Sequence, residues 1–355
     1  MPVATILILS GILLRQIDRL RHRPGSVALT AAQAMSLQRE RATVWVPALL
    51  LLGEWIQIAG WWRLAGVGLL PAAVAVVAVG VQFRHLQEIS HFAVHGVLAR
   101  GRRANAVLAE VFAHLPMALG PVAVRRIRHV RDHHPNATVS GADPNLAELH
   151  AAGLVPAASR WTVTRAVLFP LTPRGTAVAA AAIGRALHRP AGAAAGVAVA
   201  FSAFSVGGWF GVLFGLVVPR LWVYPQLAWL SLLGEHTWFD PQRREGARAE
   251  VEAGRCLRLY PQRPLMAAAA SMMWLPYGDL HHYAHSAHPA VRWNYLPAVE
   301  RHLAPPHCTP PALLIGPRSL LARHRRALTG TSPGGGAVAP GAESRTCSCL
   351  RAETR

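Results

Sequence analysis

The chain has 355 residues, of which 52% are hydrophobic and only 15% charged, against about 25% charged in ordinary soluble domains. Its formal net charge of +19 is carried by Arg alone, since no Lys occurs, and its mean hydropathy is +0.27. This balance disfavours a soluble enzyme and leaves nucleic acid or the cytoplasmic side of a membrane to explain the charge. The four cysteines (Cys256, Cys308, Cys347 and Cys349) show no CxxC spacing, which excludes a disulfide framework or a zinc ribbon.

Met1 to Leu14 is a short apolar run followed, rather than preceded, by basic residues. It reads as an interfacial or buried amphipathic helix and not as a signal peptide. Arg15 to Arg41 is polar and Arg-rich, so residues 1–43 are expected to form an N-terminal arm. Val44 to Ala59 is apolar apart from Glu54 and Gln57. Leu64 to Phe83 carries no charge over about 20 residues, the length of one membrane span. The intervening Trp61-Trp62-Arg63 suits a membrane interface, and the two runs read as a helical hairpin.

Segment 84–189 mixes Arg and His with apolar stretches and reads as helices lying against the membrane or the protein body. Ala191 to Val218 and Leu221 to Leu233, interrupted by Pro219-Arg220, predict a second hairpin spanning roughly 190–207 and 209–232, with a short turn at Gly207-Gly208. Arg220 falls inside the last span, where it must snorkel or pair. Arg residues crowd the N-terminal arm, 84–189 and the region after 240, whereas the outer turns hold only Arg63. The positive-inside rule then puts all three Arg-rich segments on the cytoplasmic side, which accounts for the charge without nucleic acid. The expected fold is an all-α membrane protein with about four transmembrane helices in two hairpins and a cytoplasmic helical cap, over residues 44–328. Residues 329–355, with Gly334-Gly335-Gly336, read as a disordered tail.

The 18 histidines avoid all four expected spans and gather at their ends. His91 and His95 stand four apart, on one face of a helix. His129 and His133 repeat that spacing, and His134, rotated by about 100°, is expected to reach a second metal. His236 follows Glu235 after the last span. His281, His282, His285 and His288 fall within eight residues. Imidazole suits iron, copper, zinc and nickel, and eight or more His exceed one mononuclear site, so two metals are implied. Nearby acids that could orient ring N–H groups are Glu88, Asp132, Asp143, Glu235 and Asp279. Only Glu88 to His91 gives Glu-x-x-His, so the carboxylate-rich di-iron bundle class, which needs two such motifs, is disfavoured. His22, His114, His150, His188, His302 and His307 are read as ordinary polar or packed residues, and His324, near the tail, as neutral to function.

As a set, these motifs resemble the integral-membrane fatty acid desaturase and hydroxylase family. The order is HxxxH (His91, His95), then His129 to His134 with Asp143-Pro144 downstream, then Glu235-His236, then His282-Tyr283-Ala284-His285 followed by Pro289 and Leu296-Pro297. The resemblance covers roughly 45–300. Phe92 stands where the family usually has an acid, and Ser286 where the third motif would have its last His, with His281 or His288 as replacements. The resemblance implies two iron ions held by His91, His95, His129, His133, His134, His236, His282 and His285, which oxidise a lipid-like substrate with O2. It also implies a separate electron donor, such as a ferredoxin with its reductase, because no fused haem or ferredoxin motif is visible. The expected activity is fatty-acyl desaturation, with a hydroxylase or ketolase as the alternative, in a bacterial cell membrane with the site on the cytoplasmic side. A metal transporter is a different class, and would place His or acids within the spans.

Overall fold

The computed structural model describes residues 1–25 and 28–330. Residues 331–355 of the expected tail, Cys347 and Cys349 among them, lie outside the described residues. Helices dominate, and among the described residues there is no strand, only an isolated bridge between His236 and Cys256. The first elements are α1 (Pro2–Arg21), α2 (Ala31–Arg41), α3 (Trp45–Ala65) and α4 (Leu69–Val94).

α1 runs antiparallel along α3. A Cβ at Gly11 would meet the Gly53 carbonyl at 2.4 Å, and one at Gly60 would meet that of Ala4 at 3.0 Å, so glycines set the close approach of the two helices. Ile6, Leu9 and Leu13 stay exposed on the other face. The first helix therefore packs along α3. Beyond it, Thr30 and Gln33 close a capping box that starts α2. α2 meets α3 at 86°.

α3 and α4 form the first hairpin, with Gln57 bonded to Gln82 at 3.1 Å and Trp55 packed on Phe83. The second arises from the apolar stretch Pro190–Glu235, whose 46 residues would extend about 69 Å if straight, twice the hydrocarbon thickness. Gly208, at φ 61 and ψ −157, breaks it. This conformation is essentially restricted to glycine. The chain reverses there, since a Cβ at Gly211 would meet the Ala203 carbonyl at 2.5 Å. Gly207 lies against Trp62 and Gly66, so the turns of the two hairpins meet. The histidines sit at the opposite ends of the helices.

Among the described residues, two helices can cross a membrane by length and composition, Leu69–Val94 and Pro190–Glu235, or up to three if the bent pair α2–α3 counts as one span. Their outward faces carry Leu69, Leu70, Val74, Val197, Phe201 and Trp209, an exposed apolar belt suited to lipid. Arg220 does not snorkel. Its Nε donates to the Met117 carbonyl at 2.6 Å and its Nη2 to that of Ala118 at 3.2 Å, closing the carbonyls where the chain leaves the π-helical turn Glu110–His114.

Candidate metal centre

Among the described residues, two histidine-rich groups of ligating atoms form, and a third set, His236, Glu252 and Cys256, shares His236 with the second. The first joins His91, His95, His129, His134 and His285; the second joins His133, Glu235, His236 and His282; within each group the ligand atoms lie within 4.8 Å of one another. In the first, the Nε2 atoms of His91 and His129 are 2.7 Å apart, those of His91 and His95 3.2 Å, and those of His95 and His134 3.2 Å. Ligands around one ion at about 2.1 Å bond lengths stand roughly 3–4 Å apart, so these rings fit a single cation. In the second, the Nε2 atoms of His236 and His282 are 3.3 Å apart.

The division of the second histidine motif differs from the expectation. His133, not His134, turns to the second group. The cause is local: Ile127–His133 is a π-helix, and its i→i+5 bonding puts residues five apart, His129 and His134, on one face. A regular α-helix would have paired His129 with His133 instead.

Buried atoms without partners mark where a ligand belongs: His133 Nε2, both ring nitrogens of His285, and Glu235 Oε2. Orphaned polar atoms of this kind are rare in folded proteins unless a further group satisfies them. Burial holds the pKa of His129, His134, His236 and His285 well below the ordinary imidazole range. The rings are thus neutral, the form that ligates metal.

Carboxylates orient the rings from behind. Glu88 accepts from His91 Nδ1 at 2.6 Å, and Asp143 from His133 Nδ1 at 2.9 Å. Asp279 lies 3.8 Å from His282 Nδ1. Asp132 does not take part; it is on the surface, paired with Arg131 at 2.7 Å. His281 bonds Glu300 at 2.7 Å, and neither it nor the half-buried His288 belongs to a group. Ser286 is buried with its Oγ 3.2 Å from His282 Nε2. His324, expected to be neutral to function, is buried and bonded to the Leu233 carbonyl at 3.2 Å, just before Glu235-His236.

Two residues at the site escaped the sequence reading. Arg84, fully buried, donates to Glu88 at 2.9 Å and to Asp279 at 2.5 Å, tying together the acids behind His91 and His282. Its spacing four before Glu88, itself three before His91, was the available signal. Cys256 places its Sγ 3.4 Å from His236 Nδ1 and 3.3 Å from Glu252, so a thiol stands where a carboxylate usually backs a ligating histidine. No local spacing announces it, because the contact closes across twenty residues.

A cavity of about 540 Å³ is lined by Glu88, His91, His129 and Glu235 together with Val178, Ala179, Ala182 and Trp229. That volume lies in the usual range for small-molecule sites. It runs from His91 and His129 past apolar side chains, and Arg84, Arg125, Arg128, Glu148, Arg174 and Arg220 also line it.

The fold and the site define a helical membrane protein with histidine clusters suited to metal. The chain belongs to the fatty acid desaturase family, whose family model matches residues 65–313. All the histidines of both groups fall inside that match, whereas α1, α2 and nearly all of α3 precede it. No curated protein matches the chain.

Proposed function

We propose that the protein is an O2-dependent membrane desaturase that holds one iron ion in each histidine group and introduces a C=C bond into a fatty-acyl chain. The observation that carries this reading is the cavity, whose lining passes from the histidines to Val178, Ala179, Ala182 and Trp229. An acyl chain lying along that wall brings a C–H bond to the metal side. The iron supplies the oxidising power for O2-dependent C–H abstraction. The chain's own residues do the rest: Glu88 and Asp143 fix ring orientation, Asp279 stands behind His282, and Arg84 holds Glu88 and Asp279 in place.

Four crossings, by α3, α4 and the two halves of Pro190–Glu235, put the histidine ends on the cytoplasmic face of a bacterial membrane under the positive-inside rule. Electrons come from a separate ferredoxin-like donor with its reductase. Expression in a host with simple lipids, followed by lipid mass spectrometry, tests the reading. New species lacking two hydrogens are expected. Species that gain oxygen would make it a hydroxylase or ketolase, and an unchanged profile with metal flux in liposomes would make it a transporter.

A further inference from the structure

A second cavity, about 330 Å³, lies between α1 and the segment from Ser271 to Pro297 and shares no lining residue with the first. Its rim carries Arg19 and Arg23, both exposed, whose side chains make no hydrogen bond or ion pair among the described residues. Its one acid, Asp18, is already bound to Arg292 at 2.6 Å, so the mouth is net positive. Tyr277 and Trp293 line it.

From there an unbroken row of rings leads inward. Tyr277 lies 5.4 Å from Trp293, centroid to centroid, and Trp293 lies 5.1 Å from Phe92. Phe92 in turn lies 5.3 Å from His91 and 5.4 Å from His285, both in the first histidine group. Arg292, stacked on Trp293 at 3.6 Å and anchored by Asp18, fixes the middle ring. Phe92 alone therefore separates Trp293, in the cavity lining, from the ligating side chains.

We propose that this cavity is where an acidic one-electron carrier of the iron–sulfur type docks, and that Trp293 and Phe92 are the electron's way from it to the metal. The inference rests on the iron reading above. One CH2–CH2 unit, one O2, two electrons and two protons give one CH=CH unit and two waters. Two docking events, each oxidising one carrier by one electron, therefore serve one turnover, with the protons drawn from water. The unpaired rim cations meet an acidic carrier by charge complementarity, which governs association rate and salt dependence.

The test has two arms on the full chain in nanodiscs. In the first, binding of a plant-type [2Fe–2S] ferredoxin to metal-free protein is titrated at several salt concentrations. Arg19→Glu with Arg23→Glu weakens it by about tenfold and flattens the salt dependence. In the second, reduction of the iron-loaded ferric protein is timed. Trp293→Leu slows reduction by ferredoxin at least about tenfold but leaves iron content and reduction by dithionite unchanged, and Trp293→Phe, which keeps the ring, slows it less. Unchanged ferredoxin binding after charge reversal overturns the docking site, as does loss of binding to vesicles of anionic lipid with ferredoxin binding intact. Equal ferredoxin-driven rates in all forms overturn the path. Failure of the wild type to hold iron is a failure of the proposed function, and the metal-free binding arm still decides the docking site.

Discussion

Replacing Arg84 by Met removes the cation shared by Glu88 and Asp279 while keeping much of the side-chain volume. All three groups are buried, and the two acids stand behind histidines of different groups. Breaking a buried pair from one side leaves uncompensated charge and costs about 3–5 kcal/mol. For a chain of this size roughly 2 °C of melting temperature accompanies each kcal/mol, so the metal-free protein should melt about 6–10 °C lower. Both acids also lose their anchor, so iron per chain should fall at both groups together. Arg84→Lys should recover only part of the loss, because an ammonium lacks the fork that reaches two carboxylates and Ser231. Scanning fluorimetry in detergent with parallel metal analysis reads both quantities. A melting temperature within 2 °C of wild type, with full iron, would refute the reasoning.

Other outcomes follow from single sites. Nothing lies within 4 Å of a Cβ built on Gly208, so Gly208→Ala isolates the backbone term and should cost about 1–3 kcal/mol; a neutral effect in thermal unfolding would mean the turn is not fixed there. Burial lowers the pKa of His324 to about 4. Below its unfolded value near 6.5 the unfolded chain takes up a proton that the folded one refuses, so stability falls as pH drops from about 6.5 towards 4. At pH 5 that amounts to about 2 kcal/mol, and His324→Gln should shrink the low-pH loss by that much in chemical unfolding; an identical pH profile would count against it. His188→Ala, at an exposed residue whose side chain makes no hydrogen bond among the described residues, should leave stability and turnover unchanged, replacing His324 as the neutral control.

Long-range features were legible where one physical rule dominates. Apolar runs marked α4 and the halves of Pro190–Glu235, and Gly207-Gly208 marked the reversal, because only glycine takes that backbone. The histidine motifs stood out because imidazoles rarely cluster without reason. What stayed hidden depended on tertiary closure or on local departures from regular geometry. The π-helix at Ile127–His133 exchanged the roles of His133 and His134, and no propensity rule foresees such a turn. The packing of α1 on α3 follows from Gly11, Gly53 and Gly60, which are ordinary residues until the two helices meet. Asp132 was near the histidines in sequence yet faces solvent, whereas Cys256 was distant and sits against His236.

The central claim is that the two groups are separate iron sites, and metal analysis of purified wild type, His95→Ala and His236→Ala tests it most directly. Two irons per chain are expected in wild type, with each variant losing the ion of its own group. Wild type that carries no iron under iron-replete expression, or variants that keep both ions, would contradict it.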